Sequence, residues 1–165
     1  MNEPDRIERL VGQWAAERPD LDVQAMDLAA RLLRVGQLIS GRIDTLATEF
    51  GLHRSEGDVL FTLRRAGPPF RLSPTQLAAS LLVTSGTMTN RLDRLEERGL
   101  IRRLPNPRDR RSLDVELSPE GRLLADTAVT RHVANEQKML SILSKRDRAD
   151  LVRITRKLIT HLESD

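Results

Sequence analysis

Cysteine and tyrosine are absent from the 165 residues, and the aromatic side chains are Trp14, Phe50, Phe61 and Phe70 alone. Without cysteine there is no disulfide, no thiol nucleophile, no thiol-based sensor and no Cys-ligated zinc. With so few aromatics the core must be built from Leu, Val, Ile, Ala and Met, which favours packed amphipathic helices over a β-sandwich. No apolar run reaches membrane-spanning length, and the opening MNEPDRIERL holds no signal-peptide core. A soluble, cytoplasmic protein with no membrane partner is the expectation. Lysine is scarce as well, with 3 Lys against 24 Arg in a chain of net charge +3. Arginine offers planar, forked donors suited to phosphates and base edges. The three histidines, His53, His132 and His161, are far apart, and neither a metal-ligand spacing nor a nucleophile elbow occurs. Neither an enzyme nor a cofactor is expected.

What is present is a succession of helical patterns with one interruption. Ile7, Leu10, Val11 and Trp14 recur at helical spacing and predict a short helix over about 4–17, ended by Pro19. A long pattern runs over about 22–50 and stops at Gly51, and a third covers about 54–66. Ser73-Pro74-Thr75-Gln76 is a helix start: a capping serine, a proline at the first helical position and a glutamine closing a capping box. That short helix turns through VTSG into another that begins near Ser85 and ends at Gly99, which reads as a helix-turn-helix. LIRRL and SLDVEL then read as two strands of a hairpin around PNPRDRR. A helix from Pro119 to about Ile142 and a last one capped by Ser144 complete the chain. The fold class expected is mainly α, a winged helix-turn-helix with an antiparallel β-hairpin wing.

The stretch TSGTMTNRLDRLEERGLIRR, Thr84 to Arg103, carries the functional signal. Its first seven residues bear no formal charge, and three arginines and three acids crowd the next eight. Met88, Leu92 and Leu95 share one helical stripe, which predicts the buried face. Ser85, Thr87, Thr89 and Asn90 lie near the N-terminal end, with Arg94 following. A recognition helix meets base edges with its N-terminal residues, and neutral donors and acceptors can do so without repelling phosphates. Ser73 and Thr75, at the start of the preceding helix, join the DNA-binding set. Arg108, Arg110 and Arg111 at the hairpin tip suit the negative potential of a minor groove. Asp109 between them is suited to holding an arginine in place. Arg91 falls about 60° from Met88, at the margin of the buried stripe, where it wants an anion. Asp58 is a candidate partner.

The stretch LSPTQLAASLLVTSGTMTNRLDRLEERGLIRRLPNPRDRRSLDVELSPEG resembles the MarR family of bacterial winged helix-turn-helix regulators, and the resemblance extends from about residue 22 to the end. It implies a single regulator chain over 1–165, with dimerisation helices at 22–50 and 119–165 and the DNA-binding region at 54–117. It implies a homodimer that presents two recognition helices and two wings to a palindromic DNA operator. The extra helix at 4–17 with its lone tryptophan resembles the urate-responsive subgroup. That resemblance implies a ligand set of Trp14, Asp58, Arg91 and Arg103, an anionic aromatic effector such as urate, and release of DNA from a repressor. His53 departs from the Ser or Thr cap found in many members, and Gly57 from a bulkier residue. Two other readings accompany this one. A regulator of the same family could answer a phenolic or other aromatic acid, with Asp58–Arg91 a structural ion pair. A helical interaction scaffold would need neither a neutral reading head nor an arginine wing.

Overall fold

The computed structural model describes residues 3, 5–107 and 112–164. The chain forms two compact units, Met1–Gly51 and Leu52–Asp165.

The first unit holds α1 (Arg6–Glu17) and α2 (Gln24–Glu49). Asp5 caps α1 by accepting from the amides of Ile7 and Glu8, and Glu8 returns the bond to the Asp5 amide. α1 packs on α2, and a hub of charge joins them. Arg31 of α2 meets Asp5 at 2.6 Å, Asp27 at 3.1 Å and Glu8 at 3.5 Å. The amide bonds and the Arg31 guanidinium hold the Asp5 carboxyl below its ordinary value. Sequence periodicity showed the two helices but not this link, whose partners lie 26 and 23 positions apart. α2 leaves Leu28, Leu32, Leu33, Val35 and Leu38 exposed.

The second unit runs α3 (Arg54–Arg65), β1 (Arg71–Leu72), α4 (Pro74–Ser80), α5 (Ser85–Glu97), β2 (Ile101–Pro105), β3 (Leu113–Leu117), α6 (Pro119–Met139) and α7 (Lys145–Leu162). The mainly helical winged helix-turn-helix expected from the sequence is what forms. The buried stripe of α5, Met88, Leu92 and Leu95, meets a core supplied by Val59, Leu60 and Leu63 of α3, Leu77 of α4, and Ile101, Val115 and Leu117 of the strands. α6 ends at Met139, three residues short of the expected Ile142: the Leu140 amide still reaches Glu136, and a Lys138–Ser141 turn follows.

The departures from expectation are local. His53 does cap α3: its ring Nδ1 accepts from the Ser55 amide at 3.3 Å, and the Glu56 carboxylate accepts from the His53 amide at 3.0 Å. An imidazole therefore stands in for a hydroxyl at the cap. β1 is an unforeseen third strand. It pairs antiparallel with β3, Arg71 opposite Glu116 and Leu72 opposite Val115, so the sheet order is β1–β3–β2. β2 pairs with β3 from Ile101–Leu117 to Pro105–Leu113. The hairpin base is tied by the Asn106 amide to the Ser112 carbonyl and by Asn106 Nδ2 to Asp114 at 2.9 Å.

Candidate nucleic-acid interface

The helix-turn-helix is assembled by caps. Ser73 accepts from the Gln76 amide, and Gln76 returns a bond to the Ser73 amide at 2.9 Å, so the Ser73 hydroxyl is spent on starting α4. Thr84 caps α5, accepting from the Thr87 amide, and its hydroxyl also meets that of Thr87 at 3.0 Å. Gly99, at φ 69°, ends α5: the Leu100 amide reaches back to Leu95 and the Gly99 amide to Glu96. Between these ends Ser85, Gly86, Thr87, Thr89 and Asn90 are all exposed, as is Thr75 at the start of α4. The neutral reading head is therefore open to a ligand along its whole length. Four backbone amides at a helix start add partial positive charge there.

The charge crowded behind the head has an internal use that was invisible in the sequence. Glu56 of α3 is 5% exposed and takes two arginines from α5, Arg94 at 2.8 Å and Arg98 at 3.3 Å. Burial pushes the Glu56 carboxyl up. The His53 amide, Arg94 and Arg98 outweigh it and hold the group below its ordinary value. Arg94, expected at the duplex, is thus held by Glu56 while its side chain stays half exposed. Asp93 and Glu96 turn to β2: Arg103 donates to Asp93 at 2.6 Å and to Glu96 at 2.7 Å, and the Arg103 amide also reaches Glu96. Asp93 and Glu96 bind α5 to β2, and Glu97 stays exposed. Glu56, Asp93 and Glu96 hold the charged side of α5 in ways sequence reasoning missed: the Glu56 partner Arg94 lies 38 residues away, and Asp93 and Glu96 meet Arg103, 10 and 7 residues on, only because β2 turns back along α5.

Replacing Glu56 with glutamine keeps the hydrogen-bonded cap but removes the charge that holds Arg94 and Arg98. With both arginines partly in water, the cost expected is roughly 1–2 kcal/mol in urea unfolding at pH 7. The folded carboxyl titrates below its unfolded value, so this stabilisation is present above about pH 4.5 and is lost as pH falls through the folded value. The gap between wild type and variant should close in that acidic window. A gap independent of pH would assign the effect to packing.

The four residues expected to bind an effector are divided between the units. Trp14 belongs to α1, at 48% exposure. Asp58, Arg91 and Arg103 belong to the second unit, on α3, α5 and β2. Asp58 and Arg91 are both half-buried, and the ion pair expected between them does not form: among the described residues neither has a hydrogen-bond or ion-pair partner. α3 and α5 do pack together, but the carboxylate that α3 gives to α5 is Glu56, two residues earlier. The wing arginines Arg108, Arg110 and Arg111, with Asp109, lie outside the described residues. Among the described residues no cluster of His, Asp and Glu could hold a metal ion, and no helix is long and apolar enough to cross a membrane.

Comparison with known proteins agrees with this geometry. The profile of the MarR family matches residues 50–112. The chain is 40% identical to the HTH-type transcriptional regulator PecS of Dickeya dadantii over 156 residues, 94% of each chain. It resembles the crystal structure of apo MarR from E. coli with a TM-score of 0.66 and 25% identity, over 79% of this chain and 95% of that one. A mutant E. coli MarR complexed with operator DNA shares the fold, with a TM-score of 0.70 and 23% identity over 88% of this chain and 96% of the other.

Proposed function

Since the chain belongs to the MarR family of transcriptional regulators, and is a DNA-binding regulator and not an enzyme, we propose that it acts as a homodimeric repressor. It reads a palindromic operator and is released by an anionic aromatic ligand such as urate. The operator reading is supported by the exposed neutral head of α5 and by the MarR relative complexed with operator DNA. A two-fold dimer calls for half-sites about one helical turn apart, roughly 10 base pairs. Ser85, Thr87, Thr89 and Asn90 read bases in this proposal, Thr75 and the start of α4 meet the backbone, and the arginines of the wing enter the minor groove.

The observation that carries the effector reading is the pair of half-buried charges, Arg91 and Asp58, that have no partner among the described residues. A partly desolvated guanidinium gains from an anion that fills its donors. Urate is flat, anionic and rich in hydrogen-bonding edges. Arg91 stands on the helix that carries the reading head, so a ligand drawn to it bears differently on the DNA-bound and free states, which is what coupling requires. Arg103 is already occupied by Asp93 and Glu96, and a ligand reaching it must displace carboxylates of α5.

The test compares urate with a neutral purine in one operator-binding assay, with the fluorescence of Trp14, the lone tryptophan, as a second signal. Urate is expected to release the operator and the neutral purine to leave it bound. Arg91→Ala should weaken urate by about 1.5–3 kcal/mol, more than tenfold in Kd. Asp58→Asn should still bind urate yet release DNA poorly. An operator equilibrium and a Trp14 signal both unmoved by millimolar urate would exclude it as the effector.

A further inference from the structure

The turn of the helix-turn-helix contains a residue that its surroundings do not account for. α4 ends with the Val83 amide donating to the Ala78 carbonyl at 3.1 Å and the Leu82 amide to the Ala79 carbonyl at 3.3 Å. This closure places Leu82 in the left-handed region, at φ 51°. Such a helix end calls for glycine, or else asparagine, because a Cβ there crowds the backbone. The chain follows that rule elsewhere: α2, α3 and α5 are each followed by a left-handed glycine, Gly51, Gly67 and Gly99. After α4 the position holds a leucine, and that leucine is 93% exposed. Its side chain strains the backbone and recovers nothing by burial within the chain. From Ser73 to Gly99 it is the one exposed large apolar side chain.

We propose that Leu82 is a further DNA-contacting residue that sets specificity, its isobutyl group packing on a thymine methyl at the edge of the major groove. The proposal rests on the reading of α5 as the helix that meets the bases. Leu82 stands two residues before the Thr84 cap and is followed, after half-buried Val83, by the exposed run Thr84–Thr87, so it is continuous with the reading head. The head itself offers hydroxyls and an amide, with Met88 turned into the core. It can answer base-edge donors and acceptors but has no large apolar group of its own for a thymine methyl, which lines the major groove. Leu82 supplies one at the margin of that surface. Strained residues that the fold itself does not need concentrate at functional positions.

The experiment uses the full chain and a duplex selected from random sequence by the wild-type protein. Leu82→Gly and Leu82→Asn each relieve the left-handed strain and remove the isobutyl group, and asparagine does so without adding the freedom of glycine. Both should raise Tm by roughly 2–4 °C while affinity for the selected duplex falls about tenfold. The salt dependence of binding should stay the same, because no phosphate contact is lost. Deoxyuridine placed for thymine, one position at a time, identifies the partner. A position that weakens wild type but neither variant marks the methyl; insensitivity throughout overturns the specificity role even if the tenfold loss is retained, because a sugar contact carries no sequence information. Unchanged affinity in both variants overturns the contact, as does a lowered Tm. An affinity loss that follows loss of the dimer in sedimentation also overturns it and assigns Leu82 to a contact between copies. Asn90→Ala is measured in parallel. Base discrimination lost there but kept in both Leu82 variants overturns the Leu82 contact alone, whereas no change in any of the three removes the reading of α5 as well.

Discussion

Replacing Gly121 with alanine is expected to destabilise the second unit by roughly 3 kcal/mol or more, a fall of about 10 °C in Tm. A Cβ at Gly121 would lie 1.8 Å from the Leu100 carbonyl oxygen, 2.8 Å from its carbon and 3.2 Å from its Cα. Every one of these is a backbone atom, so no side-chain rotation relieves the overlap. Neither partner is free to retreat. The Leu100 carbonyl accepts from the Ser118 amide at 3.1 Å, and the Ser118 hydroxyl accepts from the Gly121 amide at 2.9 Å. Leu100 itself is buried at the point where α5 passes into β2. The first turn of α6 is thereby locked onto the end of α5, and a methyl group must separate them. Thermal unfolding followed by circular dichroism measures the effect. A Tm within a degree of wild type would mean that α6 does not start against Leu100 in solution.

The second large effect is expected at α7, where Leu151, Val152, Ile154, Leu158, Ile159 and Leu162 are all exposed. A stripe of that extent on one helix asks for a covering surface, and the proposed homodimer supplies it. Leu158→Glu combined with Leu162→Glu adds charge where a lone chain would leave the side chains in water, so an isolated subunit tolerates it. Between two copies the same carboxylates would be buried without partners. Sedimentation should show dissociation, and operator affinity should fall by about 10²–10⁴-fold, because the second half-site no longer benefits from the first. Unchanged mass and unchanged affinity would place the dimer contact elsewhere. A dissociated chain that still binds the full operator as tightly would break the link between dimer and palindrome.

The helix-turn-helix was legible in the sequence because its signals are short-range. Ser73-Pro74-Thr75-Gln76 specifies a helix start within four residues, and Met88, Leu92 and Leu95 fix the buried side of α5 by spacing alone. The exposed neutral head follows from the same wheel. What the sequence concealed depends on partners far along the chain. β1 has two residues, too few to show alternation, and is a strand only because β3 returns beside it. Glu56 is indistinguishable in sequence from any acid in the first turn of a helix, yet it takes both Arg94 and Arg98. Arg103 was read as a ligand residue from resemblance, and its bonds to Asp93 and Glu96 add a structural duty that spacing could not reveal. The Asp58–Arg91 pair was the reverse case: adjacent helices made it plausible, and the contact between them runs instead from Glu56, two residues earlier, to Arg94 and Arg98. Leu82 was hidden in a different way, since its distinction lies in a backbone angle and not in its identity.

The strand order β1–β3–β2 bears on how the chain reaches this fold. β2 and β3 adjoin in sequence and can zip from the hairpin end, where Pro105 and Leu113 face each other. β1 must find its place from 45 residues away, the separation between Arg71 and Glu116. Closing so long a loop carries an entropic barrier that the hairpin does not meet, and non-local strand pairing is slow for that reason. β1 is therefore the costlier strand to bring into the sheet. Ser73, the cap of α4, follows it directly, so until β1 docks, α4 hangs from a strand not yet anchored. The placement of α4, and with it the geometry of the helix-turn-helix, therefore depends in part on a strand pairing made 45 residues along the chain.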